Sequence, residues 1–102
     1  MNVTGLMGEL DVRTASEAPT EALLRVHPQS YLDTFKEMSD NGGGELGLRV
    51  PFARGGYELA ALSAGLSIAA VEAVLTGDVQ NAYALSRPPG HHCLPDYPNG
   101  FC

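Results

Sequence analysis

The residues best suited to chemistry sit close together near the C-terminal end of the chain. His91, His92 and Cys93 follow Arg87-Pro88-Pro89-Gly90, and Gly100-Phe101-Cys102 comes after a further short stretch ending at Asn99. Imidazole is the side chain whose charge changes near neutral pH, so an adjacent pair is suited to moving protons. Two prolines fix φ and a glycine permits close backbone approach, so the pair would be presented at set angles. The same pair also suits a solvated loop or a partly buried capping pair, and residue types alone leave these readings open. With Cys93, Asp96 and Cys102 nearby there are enough donors for a surface metal site. Adjacent side chains seldom ligate one tetrahedral ion, however, so such a site would need a second chain or excess metal. The two cysteines form no Cys-x-x-Cys pair, and two reduced thiols are expected rather than a disulfide.

The elements that would position these residues are legible upstream. Asn81 to Ser86 carries small apolar residues on both faces, which predicts a buried parallel-type strand ending where the histidine stretch begins. Active sites of open α/β sheets gather at such strand ends. Before it, residues 57–76 predict a long Ala- and Leu-rich helix with Tyr57, Ala61, Ala64, Ile68, Val71 and Leu75 on one face and Gly77 as its C-terminal cap. Its small residues, among them Ser63 and Gly65, would allow close packing. A second helix is predicted over 28–39, with Pro28 in its first turn and Asp40-Asn41-Gly42 ending it. Thr20 reads as the cap of a short turn over 21–26. Leu10 to Ala15 reads as extended, and a short helix could end near Gly8. Between the two long helices lies a glycine-rich loop, 42–56, with an extended piece at Leu48 to Phe52. No Gly-Lys-Ser or Gly-Lys-Thr follows it, so it is not read as a phosphate loop.

Composition sets bounds. The chain has 102 residues, 44% hydrophobic and 18% charged, with a net charge of −6, which fits one globular domain or part of one. Six basic residues, none clustered, argue against a nucleic-acid surface. The longest apolar stretch, Leu66 to Leu75, is interrupted by Ser67 and Glu72 and is not read as a membrane span. No basic flank or apolar run marks a secretory signal, and a cytoplasmic location is expected.

Arg-Pro-Pro-Gly-His-His, seven residues, then Gly-Phe-Cys resembles the tandem-histidine motif of the zinc-dependent histone deacetylase and acetylpolyamine amidohydrolase family, in its class II and bacterial form. Weaker likenesses fall in the right order along the rest of the chain: Leu24 to Pro28 with Tyr31-Leu32, Pro51-Phe52 with Gly56 to Ala60, Gly77, and Asn81 to Leu85. The resemblance implies an α/β chain with a partial arginase/deacetylase-like fold, mostly helical, with one or two short parallel-type strands. It implies hydrolysis of an acetyl amide on lysine or polyamine by zinc-activated water. His92 would be the general base, His91 its partner, Gly100 the small residue at the floor of the acyl tunnel and Phe101 an aromatic wall of it. Plain packing is the competing role for Phe101.

The chain also departs from the family pattern. The zinc is held in the family by an Asp-x-His pair and a second aspartate downstream of Gly-Phe-Cys, and no Asp-x-His occurs here. The aspartates behind the histidines and the group that polarises the amide carbonyl likewise lie downstream in the family. Cys93 replaces a usual alanine and Leu94 a usual polar residue, and Leu48-Arg49 stands where an acidic rim residue often helps hold substrate, with Glu45 the nearest substitute. Tyr57 of Gly55-Gly56-Tyr57 precedes the long helix and reads as core or helix start. The expectation is therefore that residues 1–102 are a single partial domain, lacking the first strand and everything after Gly-Phe-Cys, with no cofactor of its own, no metal ligands, and no activity alone. The alternative is a small self-associating binding protein derived from a truncated deacetylase gene, a homo-oligomer joined through its unpaired strand edge.

Overall fold

The computed structural model describes residues 10–47 and 49–102. The helix expected near Gly8, and Leu48 of the expected extended piece, lie outside them. In chain order the elements are α1 (Thr20–Leu24), α2 (Gln29–Asp40), β1 (Gly43–Glu45), β2 (Pro51–Ala53) and α3 (Gly56–Leu75). The mostly helical α/β architecture is the expected one. The helix boundaries shift by about one residue: Pro19 and Pro28 occupy the caps of α1 and α2, and Thr20 is already helical. Both prolines have extended ψ near 150°, and neither has an N–H to lose at a helix start. Gly77 closes α3 as expected, at φ 79°, with the Asp78 and Val79 N–H groups donating back to the Ala73 carbonyl.

The strands differ from expectation. They form an antiparallel hairpin within the glycine-rich loop, pairing Gly43 with Ala53, Gly44 with Phe52 and Glu45 with Pro51. Gly43, at φ 99°, lies so near the Phe52 carbonyl that any Cβ would collide with it. Residues 81–86 form no strand: Tyr83 and Leu85 are largely exposed, since no other strand among the described residues lies beside them to pair with. A segment apolar on both faces needs cover on both, and without it the backbone has no ladder to join.

The long helix follows the same logic. Ala61, Ser63 and Gly65 are buried, whereas Leu59, Val71 and Leu75, the last 80% exposed, face outward. The predicted stripe from Tyr57 to Leu75 is thus covered in its first half only. By length and composition α3 is apolar enough to cross a bilayer, with a mean hydropathy of 1.7, so Ser67 and Glu72 interrupt it less than the sequence reading held. The central helix of a soluble domain meets the same criterion.

Two contacts fix α3 in place. Residues 16–18 cross it at Gly65, where a Cβ would collide with the Ser16 carbonyl, and the Ala18 N–H donates to the Ala61 carbonyl at 2.8 Å. Arg13 binds Asp11 and also Asp78 just beyond the helix end. At the other end, the cap residue Gly55 (φ 87°) has no side chain to offer. Ser39, fully buried at the end of α2, supplies the missing acceptor: its Oγ takes the N–H groups of Gly55 and Tyr57, each at 3.1 Å, and its hydroxyl faces the Glu58 carboxylate at 3.4 Å. Lys36 joins Glu58 to Asp40, and Arg54 donates to the Asp40 carbonyl at 2.6 Å, closing the end of α2. Around this junction Phe35 packs edge-on against Phe52 and Tyr57, at 4.9 and 5.2 Å between centroids. Tyr57 is therefore a half-buried residue of the helix start.

Two measurements check this junction. Ser39→Ala strands two helix N–H groups and should cost about 1–3 kcal/mol in urea unfolding. The Lys36 ammonium holds the Glu58 carboxyl below its ordinary value of about 4.5. The stabilisation from that pair is thus complete above that value and is lost as pH falls through the lower folded value. Lys36→Met should flatten that acid limb of the urea midpoint against pH.

Candidate functional site

The histidine stretch runs from the Arg87–Pro88 bond, which is cis, to Cys102. α3 holds its start: Ser63, buried on that helix, donates from Oγ to the Pro88 carbonyl at 2.9 Å. The turn after Pro89 is closed on Gly90, whose carbonyl accepts from the Cys93 N–H at 3.3 Å and from the Cys93 thiol at 3.1 Å. His91 and His92 emerge from this turn with ring centroids 4.2 Å apart and planes at 60°. Both side chains are exposed.

The expected floor and wall residues come to the same place. The chain reverses at Leu94–Tyr97, a β-bridge closed by backbone bonds of 2.8 and 3.4 Å. Asn99 and Cys102 then exchange two backbone hydrogen bonds, at 3.2 and 3.0 Å. This brings the Cys102 sulfur to 3.2 Å from the His92 N–H, which donates to it. Gly100, at φ 55°, lies against the His92 ring: a Cβ there would sit 3.3 Å from Cδ2. Phe101 has its side chain 63% exposed and a left-handed backbone, φ 67°. Its N–H donates to the Arg49 carbonyl at 2.9 Å, and Arg49 is left-handed as well, φ 59°. The β1–β2 loop thus holds the backbone of the expected wall residue, and Arg49 borders the site where an acidic residue was sought.

A cleft of about 840 Å³ opens between α2, the hairpin, α3 and this stretch. Tyr31, Phe35, Phe52 and Tyr57 line one side, Cys93 and Phe101 the other. The two histidines lie outside its lining, although Gly90 and Cys102 on either side of them belong to it. Burial and the nearby Cys102 push the Cys93 thiol up, so it remains protonated at neutral pH, and burial pushes the Tyr31 phenol up too.

The donors present do not make a zinc site. Among the described residues no three His, Cys, Asp or Glu side chains converge on one point. The Cys93 and Cys102 sulfurs both face backbone groups, and both cysteines are free. The makeshift site of His91, His92, Cys93, Asp96 and Cys102 is therefore not assembled within the chain. What the arrangement offers is acid–base chemistry: neutral imidazoles carry one donor and one acceptor each, and two in contact can take a proton from one side and release it on the other.

Sequence reasoning missed three positioning contacts: Ser63 to Pro88, Arg49 to Phe101, and the His27 ring to the Pro95 carbonyl. Only Ser63 had a visible signal, as a hydroxyl in the middle of an apolar helix.

The family model of the histone deacetylase domain matches residues 1–102. A histone deacetylase-like amidohydrolase of Pseudomonas aeruginosa is 59% identical over 102 residues, covering 100% of this chain and 27% of that protein. The polyamine deacetylase HDAC10 of Homo sapiens is 40% identical over 95 residues, covering 87% of this chain and 14% of its own. The crystal structure of the HDA15 HD domain superposes with a TM-score of 0.82 at 30% identity, over 91% of this chain and 26% of that one. The chain thus spans about a quarter or less of the length of these relatives.

Proposed function

The chain belongs to the histone deacetylase domain family, and from that premise we propose that residues 87–102 are the proton-transfer side of a site that hydrolyses the acetyl amide of a modified lysine or polyamine. The observation that carries this reading is the contact of His91 with His92, with Gly100 against the His92 ring and Phe101 next in the chain. In it, His92 takes the proton of the attacking water and His91 supports the charge. Phe101 flanks the acyl chain, and Gly100 leaves room at the His92 ring for the small acetyl group. The amidohydrolase and polyamine deacetylase names of two relatives support the substrate class. Zinc is the ion the resemblance implies, and among the described residues no three His, Cys, Asp or Glu side chains converge to hold it.

Partners other than an acetylated lysine or polyamine are not part of this reading. Net charge is −6, and Arg13 and Lys36 are taken up by carboxylates, which disfavours nucleic acid. A cytoplasmic setting is supported by two free thiols.

A segment exchange tests the reading. With this chain in place of the matching segment of the Pseudomonas amidohydrolase, the hybrid should hydrolyse an acetyl-lysine amide. His91→Ala or His92→Ala should then lower kcat/KM by about 10²–10⁴. The 102-residue chain with added zinc should not exceed the buffer rate. Full activity in both hybrids, or turnover by the chain alone, would sink the proposal.

A second reading, self-association of the chain as a small interaction protein, is favoured by the exposed Leu59, Val71 and Leu75 of α3. Light scattering should then give a mass of two or more copies, and a monomer at all concentrations counts against it.

A further inference from the structure

His27 is the histidine that the hydrolytic reading leaves unused. It sits between α1 and α2, and its ring Nδ1 lies 2.6 Å from the carbonyl oxygen of Pro95, far along the chain. A carbonyl oxygen only accepts, so the proton of this bond belongs to Nδ1. Behind the ring stands a row of aromatic side chains: Tyr31 at 5.1 Å, Phe35 at 6.5 Å from Tyr31, and then Phe52 and Tyr57 against Phe35. That row runs from His27 to the α2–α3 junction, where the Ser39 Oγ accepts from two backbone N–H groups.

Pro95 lies inside the Leu94–Tyr97 reversal, between His92 and Gly100. The reversal sets how the chain returns Gly100 to the His92 ring and Phe101 to Arg49. Its own closure is two backbone bonds, one of them long at 3.4 Å, and Leu94 and Tyr97 are both exposed. Among the described residues, the one side-chain hydrogen bond that reaches this turn comes from the imidazole of His27. We propose that His27 is a positioning residue, holding the Pro95 carbonyl so that the His92 ring and the Phe101 side chain keep a fixed separation. The role rests on the hydrolytic reading above, whereas the bond itself does not.

The test has a part for each. In the 102-residue chain at about pH 8, long-range proton–nitrogen correlation spectra should show His27 with its proton on Nδ1. A neutral ring protonated on Nε2 alone overturns the proposal without any variant. His27→Leu keeps bulk without a donor, and His27→Asn keeps an N–H near the place of Nδ1. Leucine should move the amide signals of Leu94 to Tyr97 and the ring signals of His92, and asparagine should return them; leucine signals that stay in place overturn the proposal. In the hybrid amidohydrolase, His27→Leu should lower kcat by about 10–100-fold with KM little changed, and His27→Asn should recover most of it. A hybrid that depends on His91 and His92 but not on His27 overturns the positioning role alone. A hybrid indifferent to all three overturns the hydrolytic reading and the role together, while the tautomer still reports the bond.

Discussion

One buried hydroxyl, Ser39, joins the two long helices. A helix begins with backbone N–H groups that have no partner within it, and α3 begins at a glycine with nothing to give them. Ser39 reaches across from the end of α2 and takes two of them, with Glu58 facing its own hydrogen. The hydroxyl is thereby used at both lone pairs and at its proton. The hairpin is caught in the same junction, because Phe52 packs against Phe35 and under Gly56. Since α3 carries Ser63, which holds Pro88, the placement of the histidines descends from this one group.

The site is assembled mostly from backbone geometry. Three carbonyls that accept from Ser63, Cys93 and Phe101, and two residues in left-handed backbone, shape it. Left-handed backbone at a non-glycine residue costs roughly 1–3 kcal/mol and persists only where surroundings enforce it. At Phe101 that enforcement is the bond to Arg49, made by a residue in the same conformation. An exposed aromatic held in this way is expensive to keep unless its orientation is used.

Much of this was legible in the residues. The helices over 29–40 and 56–75 follow from Pro28, the glycines around 42 and Gly77, all of which act through local backbone preference. The tandem histidines were legible from Arg-Pro-Pro-Gly, a spacing that chemistry alone reads as a fixed turn. The strand was not. Residues 81–86 have the composition of a buried strand, but composition reports what a segment needs and not whether a neighbour is present. Gly43 and Gly44 have the opposite character: poor strand composition, yet a ladder forms because the turn brings them to Ala53 and Phe52. The exposed half of α3 escaped notice for a related reason. A helix apolar all round has no period to show which side will be covered. Long-range ties such as His27 to Pro95 leave no local pattern at all.

The loop that joins β1 to β2 touches the histidine stretch at two points: Gly47, where a side chain would collide with the Pro98 carbonyl, and Arg49, whose carbonyl meets Phe101. Surface loops ordinarily tolerate added or lost residues because they lean on nothing. This one works as a ruler. Its length is measured against the far strip of chain, and one residue more or less would put a different carbonyl opposite Phe101. Across lineages of this domain the count of residues between the two short strands should therefore stay constant.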